Sequence, residues 1–254
     1  MLSNHMRVTC ALMIREISTR YGGKPGGYLW ALLDPVAHIV IMTVIFGAIA
    51  KIPALGSSFS LFFATGYLPF MFFQTMQTYV SGAIKANKGL LSYPVVSPFD
   101  AVTARYLVQA FTSFAIAIAV FEVIVLEDGI TLDINYGALV GSCLLASFLG
   151  LGIGLINIFM YARYPIYEQL FSLVIRPMSL ISGMFFLPDS MPHPYQDYIL
   201  YNPLCHIIIL FRESVYREYR GTGLDMNYLL LITSGCILVG YLLFTFGSRT
   251  IREN

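Results

Sequence analysis

Charge is what this sequence has least of. Only 11% of its 254 residues are Asp, Glu, Lys or Arg, against roughly 25% in soluble domains. Hydrophobic residues make up 57%, and the mean hydropathy is +0.72. A water-soluble core of this length cannot hide so much apolar surface, so an integral membrane protein is expected. The net charge of +1 excludes bulk attraction to nucleic acid. Cysteine is sparse too: Cys10, Cys143, Cys205 and Cys236 are far apart and form no C-x-x-C pair, which excludes a zinc or disulfide framework. No G-x-x-x-x-G-K-[ST], H-E-x-x-H or G-x-S-x-G occurs, so neither a nucleotide site nor a catalytic constellation is expected, and no cofactor. The N-terminus also lacks an apolar core followed by a small-residue cleavage site; the spans themselves are expected to drive insertion.

The stretch from Arg15 to His38 organises what is present. Residues 2–21 place Cys10, Met13, Ile14, Ile17 and Tyr21 at helical spacing on one side, with Arg7, Arg15 and Ser18 towards the other. That pattern suits a surface helix in the headgroup region, the alternative being a polar leader. The run Gly22-Gly23-Lys24-Pro25-Gly26-Gly27 then breaks the helix.

About 20 apolar residues cross a bilayer. Six stretches qualify: 28–50, 59–80, 103–126, 136–161, 166–187 and 227–247. Pro69 marks a kink in the second. The fourth carries Gly137-x-x-x-Gly141 and Gly150-x-x-x-Gly154, which admit close approach of another helix, most simply within the same chain. Lys and Arg concentrate in the N-terminal arm (Arg7, Arg15, Arg20, Lys24), the second loop (Lys85, Lys88), the fourth loop (Arg163) and the tail (Arg249, Arg252). The first loop has only Lys51, and the third has Glu127, Asp128 and Asp133 without a cation. The bias predicts both termini in the cytoplasm.

Residues 188–225 fall outside by this parity, yet hold an apolar run too short to span. They read as re-entrant or interfacial helices, followed by a surface segment of mixed charge at Arg212, Glu213, Arg217, Glu218 and Arg220. Residues 84–100 form the longest cytoplasmic connection. Leu90, Leu91 and Tyr93 there suit a short helix docking into a partner's groove, where a bland loop needs no such apolar side chains.

Charge inside a span is expensive and is a functional hypothesis by default. Arg176, followed by Pro177, is placed near the midplane of the fifth span. It meets either an anionic substrate group or a structural partner, Asp34 or Glu122. Asp34 and His38 lie one helical turn apart on the first span, as a proton relay or an interhelical hydrogen-bonding pair. Phe59, Phe63, Tyr67 and Phe70 make an aromatic stripe on the second span. It either walls a sugar path or packs other helices and lipid. Tyr21, Tyr28 and Trp30 sit where an interfacial aromatic belt belongs.

Three motifs in order carry a resemblance over essentially the whole chain. Arg15-Glu-Ile-x-Thr-Arg-Tyr-Gly with Gly27-Tyr-Leu-Trp-Ala-Leu-Leu-Asp-Pro-x-Ala-His resembles the opening of capsular polysaccharide exporter permeases, the membrane subunits of type-2 bacterial ABC exporters. Ala86-Asn-x-Gly-Leu-Leu-x-Tyr-x-x-Val-x-Pro-x-Asp is similar to that family's coupling segment. Asn202-Pro-Leu-x-His, with Arg212-Glu after it, is similar to its external re-entrant region around Asn202, His206 and Arg212. The resemblance implies an all-α bundle of six spans acting as a homodimer, with no catalysis of its own. ATP is expected in a separate dimer of ATPase subunits gripping Lys85, Asn87, Lys88, Leu90, Leu91 and Tyr93, with Arg163 nearby. The implied cargo is a lipid-linked, usually acidic polysaccharide moving to the periplasm, where an adaptor and an outer-membrane channel continue the path. Arg15, Arg20, Lys24, Tyr21 and Trp30 then stand at its inner mouth, and Phe63, Tyr67, Phe70 and Arg176 deeper. O-antigen or teichoic acid export on the same fold is the runner-up. An ion-coupled secondary transporter predicts internal repeats, and a membrane transferase predicts a catalytic cluster; the sequence has neither.

Overall fold

The computed structural model describes residues 2–21, 27–93, 95–129 and 132–247. Among them the chain is helical, in the order α1 (Leu2–Tyr21), α2 (Gly27–Ile49), α3 (Phe59–Ser81), α4 (Ala83–Ala86), α5 (Lys88–Leu91), α6 (Pro98–Asp128), α7 (Tyr136–Arg163), α8 (Pro165–Ile181), α9 (Tyr195–Leu200), α10 (Pro203–Val215) and α11 (Met226–Phe246), with a 3-10 turn at Pro188–Ser190. By length and composition, four of the described helices can cross a membrane: α2, α6, α7 and α11.

Helix α3 sits at the centre, against α7, α6, α2 and α10. It runs through Pro69, and its aromatic residues form the core: Phe62, Phe63, Phe70, Phe72 and Phe73 are all buried. Small residues set the approach of its neighbours. A methyl group on Gly150 would lie 2.8 Å from Met76 Cβ, and one on Gly154 2.7 Å from Val80 Cβ, so α7 lies directly against α3. One turn of α7 is shared with α11 through Gly152 and Gly240, where a Cβ on Gly240 would lie 2.7 Å from the Gly152 carbonyl. The second G-x-x-x-G thus serves packing within the chain. The first does not: nothing lies within 4 Å of a Cβ built on Gly141.

Two boundaries differ by five residues or more from those read in the sequence. Helix α6 starts at Pro98, five residues ahead of the expected Thr103. Ser97 and Asp100 form a reciprocal capping box, and Pro98 occupies the first turn, where its missing N–H has no consequence. The pattern was readable as Ser-Pro-Phe-Asp. Helix α8 ends at Ile181, not Leu187. Its 17 residues are about 25 Å long at 1.5 Å per residue, short of the roughly 30 Å hydrocarbon core. The chain turns at Gly183, which has φ 80°, and a buried arginine takes the carbonyls released there.

Candidate functional site

Polar contacts collect at the two ends of the bundle. At one end, α1 lies along the start of α6, with Leu12 buried beside Ala101 and Ala104. Its polar side chains reach three further elements. Arg15 Nη1 donates to Asn87 Oδ1 at 2.8 Å, and Asn87 Nδ2 donates to the Ala83 carbonyl at 2.9 Å. Glu16 pairs with Arg105 at 2.8 Å, with both side chains almost buried. Arg105 also donates to the Tyr79 carbonyl at the end of α3. Arg20 Nη1 donates to Gln109 Oε1 at 2.7 Å, and its guanidinium stacks 3.8 Å from the centre of the Tyr79 ring. Gln109 continues inward to Thr75 and Ser113. His5 approaches Asp100, the capping residue of α6, at 3.0 Å.

Each buried charge here has a partner, as burial requires. Among the described residues no nucleophile stands against a base there, and the contacts join separate elements. The cluster ties α1, the α4–α5 turn and the adjoining ends of α3 and α6 into one unit.

The residues expected in the coupling segment divide between two roles. Asn87 is buried, 4% exposed, and anchors the turn from inside. Lys85, Lys88 and Tyr93 face outward, and Leu90 and Leu91 are half-buried, with Leu90 packed beside Leu12. Arg163 is exposed, its guanidinium 5.3 Å from the Tyr164 ring. Lys85 also meets Glu168 of α8 at 3.8 Å, an exposed pair of little energetic consequence.

Of the residues expected along a substrate path, Arg15 and Arg20 are engaged in the contacts above. Lys24 and the side chain of Tyr21 lie outside the described residues. Trp30 is exposed. Phe63 and Phe70 belong to the core rather than a wall, Phe63 lying 5.0 Å from Phe46 and 5.3 Å from Phe62. Tyr67 stacks on His38 at 4.2 Å. His38 therefore meets an aromatic ring, and among the described residues no hydrogen bond joins it to Asp34. Arg176 is exposed on α8, and among the described residues no ion pair joins it to Asp34 or Glu122.

The opposite end is built around α10, which packs against α3 and α7. Asn202 caps it, its side-chain oxygen accepting from the Leu204 N–H. His206 Nδ1 accepts from the Asp225 N–H, so Nε2 carries the proton and donates to the Leu200 carbonyl at 2.8 Å. Arg212 corrects the sequence reading most sharply. It was placed in an exposed segment of mixed charge, and it is fully buried. Nη1 donates to the carbonyls of Gly183 and Phe186 at 2.8 and 3.0 Å, and Nη2 donates to Met184 at 2.9 Å. The guanidinium lies 4.5 Å from the centre of the Phe62 ring. Burial lowers its pKa to about 10, so it stays cationic at neutral pH, as three carbonyl dipoles require. Glu16, Tyr79, Arg105 and Gln109 were missed as site residues. Only the reversed charges of Glu16 and Arg105 hinted at a pair, and nothing local shows two segments 89 residues apart in contact.

Known proteins place this architecture. The family model described as ABC-2 type transporter matches residues 7–216. The polysialic acid transport protein KpsM of Escherichia coli is 35% identical over 234 residues, covering 92% of this chain and 91% of its own. The capsule polysaccharide export inner-membrane protein CtrC of Neisseria meningitidis serogroup A is 27% identical over 92% of the chain and 88% of its own. The O-antigen export system permease protein RfbA of Klebsiella pneumoniae is 23% identical over 88% and 85%. A family match from α1 to the end of α10, together with apolar helices of spanning length and a polar cluster at each end, leaves one assignment: the chain belongs to the ABC-2 type transporter family, as one of its membrane permeases.

Proposed function

We propose that this chain is the membrane-spanning half of an ATP-driven exporter that moves lipid-linked capsular polysaccharide across a bacterial inner membrane. The observation that carries the reading is the 35% identity to a polysialic acid transport protein through 92% of the chain. The polysialic acid transport protein and the serogroup A capsule export protein stand ahead of the O-antigen relative in identity and coverage, which favours capsule over O-antigen. In this reading α3 joins the four long apolar helices as a span, α8 completes the sixth crossing together with the turn that follows it at Gly183, both termini are cytoplasmic, and α9 and α10 form the external re-entrant region. Two copies form the conduit. A periplasmic adaptor and an outer-membrane channel continue it.

The polar cluster under α1 supports a mechanical link to a separate ATPase. An ATPase that grips Lys85, Lys88 and Tyr93 pulls on Asn87, and through Arg15 on α1. Glu16–Arg105 and Arg20–Gln109 pass that displacement to α3 and α6. Trp30 and Arg176, exposed on α2 and α8, then face the conduit between two copies, Arg176 meeting an anionic group of the cargo. Cysteine at Tyr93, paired with cysteines on the ATPase of the same transport system, tests the link. Disulfide formation that responds to ATP supports it. Labelling of Lys85 and Lys88 from the periplasmic side rejects it, and so does ATP hydrolysis by the purified chain alone.

A further inference from the structure

The external end holds a cavity of about 760 Å³, inside the roughly 300–1,000 Å³ range of small-molecule sites. Its walls come from four stretches distant in sequence: Leu55, Gly56 and Ser57 before α3 with Leu61 in its first turn, Leu132 and Asp133 before α7, Asp189, and residues 215–220 with Thr222. None of the residues described at the inner cluster takes part. The wall beside the first stretch is the ring of Tyr216. Gly56 has φ 70°, and a Cβ there would lie 2.6 Å from Tyr216 Cε1, so only glycine brings the chain this close.

The polar groups are held in place before any ligand arrives. Asp189 accepts from the Tyr219 hydroxyl at 2.8 Å, the Thr222 N–H at 3.0 Å and the Thr222 hydroxyl at 2.6 Å. Arg217 pairs with Asp133 across the rim. Arg220 uses one guanidinium nitrogen on the Tyr219 carbonyl, leaving other N–H groups to donate. Glu218 lines the same cavity and makes no hydrogen bond or ion pair among the described residues. A guanidinium that donates two parallel bonds and a carboxylate that accepts two match vicinal hydroxyls, each of which donates and accepts. Ser57, Thr222 and the Tyr216 ring add hydroxyls and an aromatic wall. A protein partner needs a broad surface of about 800 Å² with an apolar centre, whereas this is a concave pocket with a charged rim.

We infer that this cavity is a saccharide site, holding a short segment of polysaccharide as the chain emerges from the bundle. The inference rests on the exporter reading and on its orientation. The test uses the complete exporter in the organism that carries the chain, with a benzophenone amino acid in place of Ser57 at the rim, or of Tyr198, exposed on α9 outside the cavity. Deleting the chain must first remove the surface polysaccharide; if it does not, the exporter reading fails and takes the site with it. Where it does, illumination is expected to give a polydisperse adduct from position 57 and not from 198. Acid hydrolysis of that adduct should release the sugars of the surface polysaccharide. The double variant Glu218→Gln, Arg220→Gln should keep its membrane level and lose the adduct about tenfold, the scale of one charged hydrogen bond. No adduct at 57, or a discrete one without sugar, overturns the site and leaves the exporter reading standing.

Discussion

Arg212 is where three segments of the chain meet. Its guanidinium holds the carbonyls that follow α8, it lies over Phe62 of α3, and it belongs to α10. Removing it takes a donor from three carbonyls, those of Gly183 and Met184 buried and that of Phe186 half-buried. Arg212→Met is expected to cost about 3–5 kcal/mol, and Arg212→Lys nearly as much, because an ammonium cannot span three acceptors in one plane. Loss of monodisperse protein on heating in detergent reads this out, and a melting profile equal to that of the parent rejects it. The cysteines divide by environment. Cys205 is fully buried, and burial pushes its thiol up to about 12, so almost no thiolate exists at pH 7.5. Cys10 is exposed on α1. A maleimide is therefore expected to modify Cys10 in the folded protein and to reach Cys205 only after denaturation, which intact-mass measurement distinguishes. Sequence alone misplaced Arg212 because an arginine among Glu and Tyr reads as surface; its burial depends on carbonyls 26–29 residues away.

Among the elements, α7 shows how local spacing and tertiary contact divide the work. Gly150, Gly152 and Gly154 all lie against another helix, while Gly141 lies against none. Alanine at Gly150 or Gly154 meets atoms at 2.7–2.8 Å, an overpacking expected to cost about 1–3 kcal/mol. Gly141→Ala should be neutral or slightly stabilising through helix propensity. Comparable melting of the Gly150 and Gly141 variants would contradict this packing. At the other end, Glu16→Gln and Arg105→Gln should couple by about 0.5–3 kcal/mol in a double-mutant cycle, since the pair is nearly dry. A coupling near zero would show that α1 is not fastened there. The pair also has a functional readout. If α1 carries force from the coupling segment, either single variant lowers export more than it lowers membrane level.

For the whole molecule, the decisive prediction concerns sidedness. Single cysteines at Lys85 and Glu218 should react with a membrane-impermeant reagent from opposite faces, Lys85 only after the inner membrane is opened. Reaction from the same face would undo both the force path and the external cavity. Membrane residence was legible from composition, because 11% charge leaves too little polar surface for water. The main apolar helices were legible too, because a bilayer demands uninterrupted length, whereas the Ser97 cap that starts α6 five residues early was not read. The short α8, the burial of Arg212 and Asn87, the Glu16–Arg105 pair and the cavity beside Tyr216 were not legible. Each depends on which side chain from elsewhere meets a given backbone group, and a linear pattern carries no such distance. The sequence by itself determined the solvent this protein lives in and where its long apolar helices run. Only the tertiary structure decided which of its few charges are fasteners and which face outward, because buried charge is tolerated only opposite a partner that folding brings near.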